Sequence, residues 1–299
     1  MTLALGLSAC ARGSEAEADE PALRVRRGGM LTRKIPSSGE DLPVVGCGTW
    51  QTFDKNPAER APLADVLKVL FESGGSVIDS SPMYGRAEAA VGDVLGRIDG
   101  RDRAFLATKV WTTGKDAGTA QMKTSAERMG DPVIDLMQVH NLVDVETHLA
   151  TLAAWKREER VRYVGVTHYT PSAHAALEAV LRAHPLDFVQ LDYSVRDRAV
   201  EARLLPLAAE RGIAVIVNQP FGGGGLLRQV IGRPLPPFAG EIGCTTWPQL
   251  LLKFLLGHPA VTCVIPGTGR PEHMRDNVLA GFGAMPDAKL REEIARAVA

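Results

Sequence analysis

The chain has 299 residues, 45% hydrophobic and 23% charged, with 34 basic against 35 acidic residues and a formal net charge of −1. That length can bury one large core without covalent staples, and the balanced charge gives no electrostatic reason to expect a nucleic-acid or anionic-membrane partner. The four cysteines, Cys10, Cys47, Cys244 and Cys263, form no CxxC pair, so neither a zinc site nor a redox dithiol is indicated, and no other metal site is expected.

Residues 1–29 read as a tail ahead of the folded unit. Glu15–Glu20 is an acidic run and Arg24–Arg27 a basic one, both expected to be solvated. The first ten residues, MTLALGLSAC, are apolar, and Leu7-Ser8-Ala9-Cys10 is similar to the box at which bacterial lipoproteins are processed. No Lys or Arg precedes it, and the stretch is short for a complete signal peptide. Two readings stay open: a disordered tail on a cytoplasmic protein, or the remnant of a leader that sends it to the periplasm or the membrane surface. No run reaches the ~18–20 apolar residues of a spanning helix, so no transmembrane segment is expected.

From residue 44 onward, short apolar runs alternate with amphipathic segments. The runs Val44–Gly48, Val77–Asp79, Ala104–Lys109, Ile134–Val139, Val161–Val166, Phe188–Leu191, Ala214–Val217 and Cys263–Ile265 read as buried parallel strands, several of them rich in Val and Ile. Helical spacing marks Ala61–Glu72, Ala87–Leu95, Thr119–Met129, Val145–Lys156, a helix opened by Pro171-Ser172, then Glu201–Arg211, Thr246–Leu256 and Pro271–Ala280. Turn residues fall between them, as at Gly74-Gly75, Gly130-Asp131-Pro132 and Arg211-Gly212. Strict alternation fits a doubly wound sheet or a closed barrel. No GxGxxG follows an early strand, which argues against the dinucleotide-binding sheet, and eight repeats in ~250 residues is the size of an α/β TIM barrel, (β/α)8. Residues 30–43 then predict a hairpin capping the barrel bottom, Gly222–Gly225 opens a long loop, and Pro286–Ala299 makes an extra C-terminal helix. The folded domain is expected to run over 30–299.

In a barrel the site lies where strands end. The second run ends in Asp79, with Tyr84 one turn beyond; the third ends in Lys109 and the fourth in His140. Singly, an Asp there is most often a cap or turn residue, a His a satisfied structural side chain, and a Tyr an amphipathic cover. The Lys is harder to set aside, because a cation closing an apolar run needs a partner, and Asp79 on the neighbouring strand can supply it. An accidental convergence of all four is the less economical account.

These residues carry a specific resemblance. Asp79-Ser80-Ser81-Pro82-Met83-Tyr84-Gly85-Arg86-Ala87-Glu88, then Ala107-Thr108-Lys109 and Gln138-Val139-His140, are similar to motifs of the aldo-keto reductase superfamily, in the same order along the chain. Gly46-Cys47-Gly48-Thr49-Trp50 resembles its first-strand motif, and Gly165-Val166-Thr167-His168-Tyr169 stands where the family usually has Gly-Val-Ser-Asn-Phe. The resemblance implies reduction of aldehyde or ketone carbonyls of small molecules: hydride from NADPH, with NADH the alternative, and a proton from Tyr84. Lys109 would lower the tyrosine pKa, Asp79 would hold the lysine, and His140 would aim the carbonyl. It also implies a cofactor stretched across the barrel mouth over Gly48, Thr49 and Trp50. Thr167, His168 and Gln190 would grip the carboxamide, with Asn218 at a place often taken by a stacking aromatic. Pro220, Gly222, Gly224 and Leu226 would lie along the pyrophosphate. Pro266, Gly267, Thr268, Arg270, His273, Asp276 and Asn277 would meet the adenosine end. Gly267 and His273 stand where many members carry Lys and Arg for the 2′-phosphate, which weakens the preference for NADPH. Trp50, Met83 and Trp111 would line an apolar substrate pocket.

The same residues bear on other functional classes. A non-catalytic, cofactor-sensing binding protein of the same fold is opposed by the presence of all four strand-end residues. A barrel hydrolase or isomerase would call for metal ligands or paired carboxylates at the strand ends, and the glycine run lacks the Lys-Ser/Thr of a P-loop. A monomer is expected.

Overall fold

A computed structural model describes residues 29–299. The leader and tail readings, the two charge runs and Cys10 lie outside the described residues. The chain enters through an antiparallel hairpin, β1 (Thr32–Lys34) and β2 (Asp41–Pro43), in the register Thr32↔Pro43. Eight parallel strands follow: β3 (Cys47–Gly48), β4 (Val77–Asp79), β5 (Phe105–Val110), β6 (Ile134–His140), β7 (Val161–His168), β8 (Phe188–Asp192), β9 (Ala214–Asn218) and β10 (Cys263–Val264). Each pairs with the next in chain order. The ring closes where β3 meets β10, through the bridges Val45↔Val264 and Gly48↔Gly267 and the bond from Gly46 N–H to the Val264 carbonyl at 2.9 Å. This is the (β/α)8 barrel, and the doubly wound alternative falls away.

The strands are buried on both faces, which is why they read as continuous apolar runs rather than alternating ones. Val77, Phe105, Ala107, Leu136, Tyr163, Phe188, Ala214, Ile216, Cys263 and Ile265 fill the inside. Ile35 and Leu42 of the hairpin belong to that same cluster, and the Tyr163 hydroxyl donates to Ser38 Oγ at 2.8 Å. The hairpin therefore plugs the end of the barrel where the strands begin, leaving the opposite end free for a site. The outward set, including Ile78, Leu106, Met137, Val166, Val189 and Val217, meets the helices. Among these, α1 (Ala61–Glu72) presents Leu63, Val66, Leu67 and Leu70, fully buried, each contributing ~1.5–3 kcal/mol.

Packing between β7 and β8 leaves no room at Gly165. A Cβ built there would lie 2.8 Å from the Phe188 carbonyl oxygen. Gly165→Ala is expected to cost ~1–3 kcal/mol, read as a lower urea midpoint; an unchanged midpoint would show that the strands can part at no cost.

The remaining helices are α2 (Ala87–Arg97), α3 (Lys115–Met129), α4 (Val145–Arg157), α5 (His174–Ala183), α6 (Leu204–Glu210), α7 (Gly225–Val230), α8 (Trp247–Leu256), α9 (Pro271–Val278) and α10 (Ala288–Val298). Three departures from the sequence reading have local causes. The segment expected as one helix over Glu201–Arg211 splits into a 3-10 turn at Ala199–Ala202 and α6, with Arg203 (φ −140°) between them. Pro206 has no N–H to give to an earlier turn, so it confines the α-helix to starting within a turn of itself. Likewise Pro171–Ala173 is a 3-10 turn before α5. The long loop after β9 contains α7, because Gly222, Gly223 and Gly224 take φ of 55°, 61° and 84° and turn the chain into it.

Candidate active site

Three strand ends and one turn bring the predicted four together. Asp79 closes β4, Lys109 is the penultimate residue of β5 and His140 closes β6. Tyr84 follows a turn in which its N–H donates to the Ser81 carbonyl at 3.0 Å. Gly85 after it has φ +62°, and a Cβ there would strike the Asp54 carboxylate at 2.6 Å, so only glycine lets the chain leave Tyr84 in this direction. Lys109 is fully buried and Asp79 is 2% exposed. The Lys109 ammonium bonds Asp79 Oδ2 at 2.6 Å and the Ser80 carbonyl at 2.7 Å, and it sits 5.1 Å from the centre of the Tyr84 ring. His140 meets the Tyr84 ring edge-on, with centres 6.0 Å apart, and its Nδ1 lies 3.1 Å from Ser81 Oγ.

The second carboxylate oxygen explains how the pair is held. Asp79 Oδ1 accepts from Gln190 Nε2 at 2.8 Å and from Gln138 Nε2 at 3.2 Å. Gln190 Oε1 in turn accepts from Thr167 Oγ1 at 3.2 Å and Asn218 Nδ2 at 3.3 Å. Thr49 bonds the Asp79 carbonyl and Ser80 Oγ at 2.9 and 3.0 Å. Sequence reading missed Gln138, Ser80 and Ser81. The first was visible in the Gln138-Val139-His140 motif, but its role depends on a carboxylate two strands away.

Electrostatics separates the four. Burial works against the Lys109 charge, yet Asp79 and then Tyr84 outweigh it, and the lysine pKa is raised. Burial pushes the Tyr84 hydroxyl above its ordinary value, and the nearby Lys109 charge offsets only part of that. Lys109 does act to lower it, as expected, but desolvation of the phenol outweighs the cation, so the net direction is upward rather than the expected fall. His140 is held down to about 3 by burial, then by the charges of Lys109 and His168, and is neutral near pH 7.

Above these residues opens a cavity of about 530 Å³. Of the predicted contacts, Gly48, Thr49, Trp50, Met83, Trp111, Thr167, Gln190, Asn218, Pro220, Gly224 and Gly267 line it, together with Asp79, Tyr84 and His140. Lys109 stands behind Tyr84 rather than at the wall. His168 uses Nδ1 to accept from the backbone N–H groups of Tyr169 and Thr170, at 3.0 and 3.3 Å, so its Nε2 carries the proton. Leu226 is buried in the core under the glycine loop, and Gly222 caps that loop at a left-handed φ. At the far end, Pro266, Thr268 and Asn277 are buried, while Gly267, Arg270 and His273 are exposed. Arg270 pairs with Glu272 at 2.7 Å, and Asp276 is engaged by Thr246 at 2.9 Å and Gln249 at 2.7 Å.

Residues 44–292 match the family model described as Aldo/keto reductase family, which is most of the chain. The chain belongs to the aldo-keto reductase family. Among curated aldo-keto reductases and their relatives, it is 28% identical over 272 residues to the aldo-keto reductase str7 of Strobilurus tenacellus, covering 78% of this chain and 79% of that protein. It is 25% identical over 329 aligned positions to the NADH-specific methylglyoxal reductase of Escherichia coli, covering 89% of this chain and 99% of that one. An aldo/keto reductase from Klebsiella pneumoniae, solved with NADP and acetate, superposes with a TM-score of 0.73 at 24% identity, over 87% of this chain and 93% of that one. At that identity the likeness establishes the shared barrel.

Proposed function

We propose that this aldo-keto reductase reduces aldehyde or ketone carbonyls to alcohols with NAD(P)H, and that Tyr84 gives the proton. The observation that carries the reading is the buried Lys109–Asp79 pair, 2.6 Å apart, set directly behind the Tyr84 ring. A buried ion pair is a poor device for stability alone. Behind a phenol it has a use, since a fixed cation stabilises the negative charge left on the oxygen as the proton departs. Neutral His140 can donate a hydrogen bond to the same carbonyl oxygen, because its Nδ1 can accept from the Ser81 hydroxyl and so leave the proton on Nε2.

The residues present suit a nicotinamide dinucleotide. Asn141 Oδ1 and Asn218 Oδ1 are buried acceptors with no hydrogen-bond partner among the described residues, and both residues line the cavity. A carboxamide NH2 is the donor such acceptors lack. Thr167, His168 and Gln190 would hold the same end. The left-handed glycines Gly222 and Gly224, with Pro220, would hold the middle, Leu226 packing beneath their loop, and Pro266, Gly267, Thr268, Arg270, His273, Asp276 and Asn277 would hold the adenosine. When bound, the reduced cofactor supplies the hydride.

NADPH is the proposed cofactor, as named for the Klebsiella protein's NADP complex, and NADH is the alternative, as named for the E. coli relative. No cationic side chain projects from Gly267, and a Cβ there would crowd the Gly48 carbonyl at 3.3 Å. The preference for NADPH should therefore be modest. Aldehyde-dependent consumption of each cofactor at fixed ionic strength should give a KM for NADPH below that for NADH by less than about tenfold. A tenfold preference for NADH would overturn the choice, and consumption of neither would overturn the reductase reading.

A further inference from the structure

The cavity wall that carries Trp111 is fastened from outside the cavity. Trp111 is the first residue past β5, two beyond Lys109, where the strand ladder has ended. There the side chain of Gln121, on α3, takes over the pairing. Its Oε1 accepts from the Trp111 N–H at 2.6 Å, and its Nε2 donates to the Trp111 carbonyl at 3.2 Å. A carboxamide carries the donor and the acceptor of a peptide group, so one side chain satisfies both backbone groups of one residue, as a neighbouring strand would.

The next residues are tied in the opposite direction. The Thr112 carbonyl accepts from His148 Nε2 at 2.7 Å, and the Gly114 N–H donates to Asp144 Oδ2 at 2.7 Å. Asp144 and His148 open α4, and Asn141, Leu142 and Asp144 hold left-handed φ angles of 53°, 56° and 47° in the loop that leaves His140. The Trp111 loop is thus fixed to its own helix through Gln121 and to the His140 loop through Asp144 and His148.

What this wall faces is informative. Trp50, Met83, Trp111 and Tyr169 line the cavity, and each is at least 42% exposed there. Among the described residues no arginine or lysine lines it, while Asp79 does; the Lys109 cation is committed to Asp79 behind Tyr84. A substrate carboxylate or phosphate would meet that wall without a counter-charge.

We propose that Gln121 is a positioning residue that holds Trp111 as a rigid wall, and that this wall selects uncharged carbonyl compounds with a flat apolar body. The proposal rests on the reductase reading above. Steady-state kinetics with para-tolualdehyde, para-carboxybenzaldehyde and methylglyoxal test it in the wild-type chain, Gln121→Met (similar volume, neither bond) and Gln121→Glu (acceptor kept, donor lost). Wild-type kcat/KM should favour para-tolualdehyde over its carboxylate analogue by about tenfold or more. In Gln121→Met, KM for para-tolualdehyde should rise by roughly fivefold more than KM for methylglyoxal, with Gln121→Glu between it and the wild type. Equal changes for all three substrates would reduce Gln121 to a structural residue and overturn the clamp. A preference for the carboxylate analogue would overturn the substrate class. A wild-type chain that reduces no carbonyl overturns both this proposal and the reading beneath it.

Discussion

Replacing Tyr84 by phenylalanine should lower kcat by ~1,000-fold, within the ~10²–10⁴ range of general acid catalysis, and leave the dissociation constant for NADPH within about twofold. The substitution removes one hydroxyl and keeps the ring that meets His140 edge-on and faces the Lys109 ammonium. The cavity therefore keeps its shape, and loss of turnover reports the proton. Because burial raises the Tyr84 pKa in spite of Lys109, the hydroxyl keeps its proton across neutral pH. The wild-type reduction rate should accordingly be level through neutrality and fall only once pH has passed above the ~10 of an ordinary tyrosine. His140, held down to about 3, contributes no acid limb in the mildly acidic range. Quenched-cofactor titration gives the affinity and a pH series gives the limb. Near-wild-type kcat in Tyr84→Phe would remove Tyr84 as the acid, and an acid limb near the ~6.5 of an ordinary histidine would show a protonating His140.

Much of the barrel is legible in the sequence for a physical reason. A strand buried on both faces is a short apolar run, and its last residue is the first place a polar side chain can face the mouth, so Asp79, Lys109 and His140 stand out by position. Other features depend on neighbours distant in sequence. Gln138 and Gln190 sit inside apolar strands, and only the strand order shows that both reach Asp79 Oδ1. The rise in the Tyr84 pKa reflects how deeply the turn after β4 is covered, which periodicity does not report. Helix α7 is six residues long and follows a glycine run, so it has neither the length nor the apolar stripe that a sequence pattern can register. Gln121 looks like any polar residue on the exposed side of α3, and its meaning lies in the backbone of Trp111, ten residues earlier. For the four candidate catalytic residues, identity and order are in the chain, and the fold adds the hydrogen-bonding supports that hold them in place.

Lys109→Met should nearly abolish turnover and also destabilise the protein by ~3–5 kcal/mol, the cost of leaving one member of a buried pair without its partner. Asp79 would keep the amides of Gln138 and Gln190. These satisfy its Oδ1 but supply no positive charge, so the carboxylate would be hydrogen-bonded and still uncompensated. Adding Asp79→Asn to Lys109→Met removes that charge and should restore most of the lost stability, read as recovery of the urea midpoint, because a neutral side chain at 79 no longer needs an ammonium. Turnover should not return with it, since the fixed cation behind Tyr84 would still be missing. A separate signal comes from His140, whose pKa is depressed first by burial and then by the Lys109 charge. Without that charge its titration, followed by NMR, should move upward from the wild-type position while burial keeps it below the usual histidine range. Recovery of turnover together with stability in the double variant would mean that the ion pair serves the fold alone. Recovery of stability without turnover assigns it to the phenol in front of it.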